Sequence, residues 1–164
     1  MAKVSQRQIV ATLSPTVHGD EEAAAPSPKA GTNNSLYFTQ VSGGEITAAV
    51  EKVYDGGMKF PEVLCATADI GDITVTRHYD TGRDKAFLAA LRHMVGSAYY
   101  DITIAEMDCD LIDATTMRQF TGALVVGLTE PDGDAASGAP ASYSVTLSVG
   151  QPTVPTEVEA GAAV

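Results

Sequence analysis

The chain offers three histidines, His18, His78 and His93, and two cysteines, Cys65 and Cys109, as metal ligands or nucleophiles. Their spacing suits neither task. Structural zinc sites draw ligands in close pairs, and no CxxC or HExxH pair occurs here. Cys65 and Cys109 can pair, but two thiols in a chain this size make no disulfide scaffold, so the expected state is two reduced, largely buried thiols. No glycine-rich loop is arranged to cradle phosphate, and no serine stands at a nucleophile elbow. The densest set of chemical groups is acidic: Asp101, Glu106, Asp108, Asp110 and Asp113, with no base among them. Asp108, Asp110 and Asp113 have the oxygen chemistry for calcium. The EF-hand pattern is nevertheless absent, since neither its glycine nor its terminal glutamate is present. A solvated acidic surface is the expectation. No catalytic residue, metal ligand or cofactor site is assigned.

The whole chain repeats the acidic theme. Its 21 acidic and 10 basic side chains leave a formal charge of -11, and no Lys or Arg follows Arg118. Proteins that grip nucleic acid neutralise phosphates with cations, so this balance argues against that role. With 164 residues the chain fits one domain, spanning 1–164. The N-terminus carries no apolar signal core, and no run is long enough to cross a bilayer, so membrane insertion is not expected. The chain is expected to be made and folded in the cytoplasm.

The elements that must position any site are mostly strands. Residues 8–13 read as a short strand. Residues 14–34, with Pro15, Pro26 and Pro28, read as an extended arm that cannot form a core alone and orders on assembly. Residues 35–41 are strand-like. Residues 45–54 alternate Ile46, Ala48 and Val50 against Glu45, Thr47 and Glu51, the pattern of a half-buried strand. Asp55-Gly56-Gly57 signals a turn, and 58–70 reads as an extended loop. Residues 72–79 alternate again, with Ile73, Val75 and Arg77 against Thr74, Thr76 and His78. An amphipathic helix follows over 85–95, with Asp84 as cap and Phe87, Leu88, Leu91, Met94 and Val95 as its apolar stripe. Strands return at 99–107, 117–129 with Gly122 as a bulge site, and 141–149. In 99–107, Tyr100, Ile102 and Ile104 oppose Asp101, Thr103 and Ala105. Residues 151–164 form a tail. The fold class is mostly β, of the α+β kind: packed antiparallel sheets, a sandwich or half-barrel, with one flanking helix.

The order of these features matters. A strand and a long glycine-containing loop precede Gly71-Asp72-Ile73-Thr74-Val75-Thr76-Arg77-His78-Tyr79-Asp80 and the helix. Then come Phe120-Thr121-Gly122-Ala123-Leu124, Thr129-Glu130-Pro131-Asp132-Gly133-Asp134 and a last strand closing at Gly150. Over roughly residues 36–150 this resembles the major tail-tube proteins of tailed phages, especially those infecting actinobacteria. It is also similar in plan to inner-tube proteins of contractile injection systems. The resemblance implies two packed antiparallel sheets and a ring-forming fold. Subunits join into six-fold rings that stack head to tail around a channel, as part of a virion tail, and DNA passes through without specific binding. It implies further tail partners: a tape measure, a terminator, a baseplate or tip, and in contractile forms a sheath. It brings no catalytic residues and no cofactor. Rival readings are a head-decoration protein, a sandwich-type carbohydrate-binding module and a small hydrolase. Aromatics are only 6% of the chain, few for stacking sugars.

Two surfaces follow for such a tube. The 54–70 segment carries Met58, Phe60, Val63 and Leu64, too apolar for a solvated turn, and is expected on neighbouring subunits. The polar strand faces Glu45, Thr47 and Glu51, then Thr74 and Thr76, then Asp101 and Thr103, are expected to face the channel.

Overall fold

The computed structural model describes residues 3–16, 25–29, 36–108, 114–150 and 152–153. In chain order its strands are β1 (Ile9–Pro15), β2 (Gln40–Gly43), β3 (Ile46–Ala48), β4 (Lys52–Val53), β5 (Glu62–Val63), β6 (Ala68–Ile70) and β7 (Ile73–His78). Helix α1 (Thr81–Arg92) follows, then β8 (Tyr99–Met107), β9 (Ala114–Thr129), β10 (Ser142–Ser148) and β11 (Pro152–Thr153).

One antiparallel sheet dominates, in the order β1-β8-β9-β10-β7-β2, with β11 on β9. The sheet curls until its ends meet. The Ala11 N–H donates to the Phe38 carbonyl at 3.2 Å, and the Phe38 N–H donates to the Ala11 carbonyl at 2.7 Å. This bridge joins β1 to the chain entering β2. It supplies most of the closure that a barrel needs to leave no open edge. Of the two forms expected, sandwich and half-barrel, the curled sheet is the second: its own curvature brings inward faces together.

The alternation read in the sequence decides which faces turn in. Ile73, Val75 and Arg77 of β7 are buried, as are Tyr143, Val145 and Leu147 of β10 and Tyr100, Ile102 and Ile104 of β8. Helix α1 covers one end with Phe87, Leu88 and Leu91, each contributing roughly 1.5–3 kcal/mol of burial. Phe87 meets Tyr143 at 6.4 Å between ring centres, and Phe38 meets Tyr143 edge-on at 6.1 Å.

The helix starts one turn earlier than its pattern suggests. Asp80, not Asp84, is the cap, its carboxylate accepting from the Gly82 and Arg83 N–H groups. Asp84 is fully buried instead, paired with Arg77 and Arg83. The helix ends at Arg92, so Val95 falls beyond it and is exposed. Gly96, with φ of 88°, turns the chain back to the sheet.

Four further expectations are corrected. Residues 45–54 are not a half-buried strand: Ile46, Ala48 and Val50 are exposed along with their neighbours. Residues 58–70 are not only an extended loop, because β5 and β6 return along β4 and β3. Ala105 is buried, since the β8–β9 register shifts at Ile104/Ala105 and its face meets Val10 and Met107 in a second apolar cluster. Cys65 is exposed; Cys109, Asp110, Asp113 and His18 lie outside the described residues. The proposed arm is also divided. Residues 14 and 15 complete β1, and residues 25–29 pack on their own barrel. The Tyr100 hydroxyl donates to the Pro26 carbonyl at 2.6 Å, and Arg77 Nη1 donates to the Lys29 carbonyl at 3.2 Å. The rest of that arm lies outside the described residues.

Candidate assembly interface

Between β2 and β7 the chain leaves the barrel as a two-stranded ribbon. Its base is fixed at Gly43, with φ of 89°, and at the Gly71 N–H, which donates to the Glu45 carbonyl at 2.9 Å. The pairs Ile46↔Ile70 and Ala48↔Ala68 form its first part, and Lys52↔Val63 and Val53↔Glu62 its second. Between them the residues 49–51 face the longer stretch 64–67, so one strand carries an extra residue and the ribbon bends. The tip is a turn closed by the Met58 N–H on the Asp55 carbonyl at 3.0 Å. At about 3.3 Å per residue, the ribbon is long enough to reach roughly 30 Å from the barrel.

The ribbon exposes large apolar side chains among its polar ones. Phe60 is 72% exposed, Tyr54 66%, Ile46 62% and Val63 54%. Val50, Val53, Met58 and Leu64 are also exposed. The four contact residues named from sequence, Met58, Phe60, Val63 and Leu64, thus stand together on this ribbon. Ile46, Val50, Val53 and Tyr54 belong with them, and of these Ile46 and Val50 were read as the buried face of a strand. The signal that finds them is the bracketing of the outgoing strand by Gly43-Gly44 and Asp55-Gly56-Gly57 and of the returning one by Asp55-Gly56-Gly57 and Gly71, which marks a hairpin standing free of the main sheet. A two-stranded ribbon is at best marginally stable alone in water, and a continuous exposed apolar surface marks an interaction site.

The polar residues proposed for a channel fall into three groups. Glu45, Thr47 and Glu51 are exposed at the base and along one strand of the ribbon. Thr74 and Thr76 are half-buried on the outer face of β7, where the Thr74 and Thr146 hydroxyls are 3.3 Å apart. Asp101 and Thr103 are half-buried on the outer face of β8, separated from β7 by β9 and β10. Asp101 has local work: its Oδ1 accepts from the Gly122 N–H at 3.0 Å and from the Thr16 hydroxyl at 2.6 Å. Gly122, with φ of 66°, is the bulge anticipated in β9, and the Asp101 carboxylate satisfies the N–H that the bulge releases.

A cleft of about 590 Å³ lies at the seam where β1 and β2 splay apart. Arg7, Arg118, Ser42, Thr74 and Gln6 are among its walls, a cationic and hydroxyl-bearing lining. Among the described residues no three His, Cys, Asp or Glu side chains gather as metal ligands, and no helix is long and apolar enough to cross a membrane.

No protein-family model and no curated protein matches the chain. Among solved structures the fold has counterparts. A chain in the sheath-tube complex of an extracellular contractile injection system, PVC, in its extended state matches with TM-score 0.65 at 19% identity, over 92% of this chain and 89% of that one. A chain in the cap of the anti-feeding prophage, its tube terminating cap, matches with TM-score 0.65 at 19% identity, over 93% and 91%. A chain in the anti-feeding prophage baseplate matches with TM-score 0.65 at 15% identity, over 93% and 94%. The fold is therefore of the tail-tube-like kind found in components of contractile injection systems.

Proposed function

We propose that this chain is a non-enzymatic structural subunit of a phage tail or phage-tail-like particle, and that it builds the tube itself. Six subunits form a ring, and rings stack head to tail into a hollow tube that conducts DNA. Further tail proteins, such as a terminator, baseplate and sheath, cap or surround it. The observation that carries this reading is the ribbon: an apolar two-stranded extension with no core of its own needs a neighbouring subunit to cover it. The shared fold supports the same reading, because the matching chains come from a tube complex, a tube cap and a baseplate. Glu45, Thr47, Glu51, Thr74, Thr76, Asp101 and Thr103 face the channel in this arrangement.

A second reading follows from the cap and baseplate matches: a single ring that ends or starts a tube. Electron microscopy of purified protein over rising concentration separates the two, with stacked tubes expected for the first and isolated rings for the second. A strictly monomeric protein at high concentration counts against both. Phe60→Asp places a charge where the ribbon meets its neighbour. The variant should keep the wild-type unfolding midpoint and lose tubes. Normal tubes from it would remove the ribbon from the interface.

A further inference from the structure

The chain's arginines divide by their partners. Arg77 and Arg83 meet Asp84, and Arg92 meets Glu130. Arg7 and Arg118 form no ion pair among the described residues, although the chain holds 21 acidic side chains. Both line the cleft of about 590 Å³ at the seam of β1 and β2, and no described Asp or Glu stands among its walls. In so acidic a protein, a cavity with two guanidinium groups and no carboxylate is suited to an anion from outside.

The fold holds Arg118 in place. In the β8–β9 ladder Arg118 lies opposite Ile104, and Phe120 opposite Ile102, so Arg118 shares the inward side of β9 with a core residue. Its Nη1 lies beside the base of the ribbon, where a side chain on Gly44 would come within 3.5 Å of it. Its Nε is buried and has no hydrogen-bond partner among the described residues. A buried donor without an acceptor is costly, and native structures leave few of them. Arg7 belongs to the short 3-10 turn Gln6–Gln8 that leads into β1, and it is exposed. Ser42 and Gln40 of β2 and Gln6 of the turn add hydroxyl and amide groups to the walls.

We propose that this cleft binds a phosphate group. Guanidinium forks suit both carboxylate and phosphate, and two features favour the second. Two cations with no carboxylate beside them match the charge of about -1.5 to -2 that a phosphate monoester carries at neutral pH, where a carboxylate brings one. The guanidinium, hydroxyl and amide groups together also offer more donors than the two oxygens of a carboxylate use well. The bound group ties the turn before β1 to β9 at the seam where β1 and β2 splay apart. The site belongs to the single subunit and does not rest on the tube reading.

Calorimetric titration of the full-length protein at low ionic strength, with chloride as the matched salt, tests the site. Inorganic phosphate should bind once per subunit and raise the unfolding midpoint, because a ligand held only by the folded state stabilises it. Glycerol phosphate binding more tightly than the free ion assigns the site to an esterified phosphate, and equal binding assigns it to the free ion; either supports the site. Arg7→Gln and Arg118→Gln should each weaken binding by roughly 10- to 100-fold, the worth of a charge-assisted hydrogen bond. Arg118→Lys should weaken it as well, since an ammonium lacks the fork. Arg7 is exposed, so its variant still decides the matter if Arg118→Gln does not fold. Acetate binding as tightly as phosphate overturns the assignment to phosphate. Binding unchanged in Arg7→Gln and Arg118→Gln puts the anion elsewhere and overturns the site. So does the absence of both a phosphate-specific heat and a midpoint shift.

Discussion

Asp84 has no access to water, and its environment explains how the helix is held. Its carboxylate meets Arg83 at 2.8 Å and Arg77 at 3.8 Å, and it accepts from the Tyr143 hydroxyl at 3.2 Å. The hydrogen bonds to Asp84 raise the Arg83 pKa, and Arg77 also lies over the Phe38 ring at 5.7 Å. One cluster therefore ties α1 to β7, β10 and the closing bridge of the barrel. Replacing Asp84 by Ala leaves the buried Arg77 guanidinium without its carboxylate, and such losses cost about 3–5 kcal/mol. Denaturant unfolding should show that drop without a large change in slope. The tyrosines of the interior give a second expectation. Burial pushes the Tyr100 and Tyr143 pKa values well above the ordinary phenol value, with Asp84 adding to the effect at Tyr143. A pKa raised on folding gives stability that is complete below the unfolded value of about 10 and is lost as pH rises toward the folded one. Unfolding midpoints should therefore fall steeply above about pH 10, and Tyr143→Phe should blunt that fall. An alkaline limb unchanged in Tyr143→Phe would show that other groups set it.

At the scale of elements, the ribbon depends on its base. Gly43 sits at φ of 89°, and a side chain there would overlap the Asp72 carbonyl. Gly43→Ala should cost at least about 1–3 kcal/mol, the usual penalty for an L residue in that region, and should disturb the ribbon's direction. A thermal midpoint equal to wild type would show that the base has room to relax. The barrel strands were legible because their alternation has a core behind it: Tyr143, Val145 and Leu147 of β10 turn inward as the pattern says. The same pattern misled over 45–54. Ile46, Ala48 and Val50 alternate as a half-buried strand would, but alternation describes the strand alone and not whether a sheet lies behind it. Asp84 was misplaced for a related reason. Asp80 and Asp84 can each cap a helix, and the partners that hold Asp84 inward, Arg77 on β7 and the Tyr143 hydroxyl on β10, are brought to it only by the fold. The apolar character of Met58, Phe60, Val63 and Leu64 was legible because no turn needs it. Ile46 and Val50, which stand on the same ribbon, were hidden by the mistaken burial.

For the molecule as a whole, charge is the property that a tube amplifies. In the proposed six-fold ring, six copies at -11 would bring roughly -66, a scale at which the field of the whole surface would act on a passing polyanion. An acidic channel offers DNA no cation to hold it, so the strand slides. The structure limits which carboxylates can test this. Asp101 supports the Gly122 bulge and the Thr16 hydroxyl, so changing it to Lys alters the barrel as well as the field. Glu45 and Glu51 are exposed, and neither stands behind a buried face. They are the cleaner probes. In particles assembled with Glu45→Lys and Glu51→Lys together, each ring gains roughly 24 positive charges relative to wild type, enough to change the sign of the local field. Tubes should still form, because the ribbon's exposed apolar side chains are unchanged. DNA release should slow, and the delay should shrink as salt is raised, since each new cation offers phosphate a contact that salt competes away. Release at the wild-type rate at low salt would put both glutamates outside the channel.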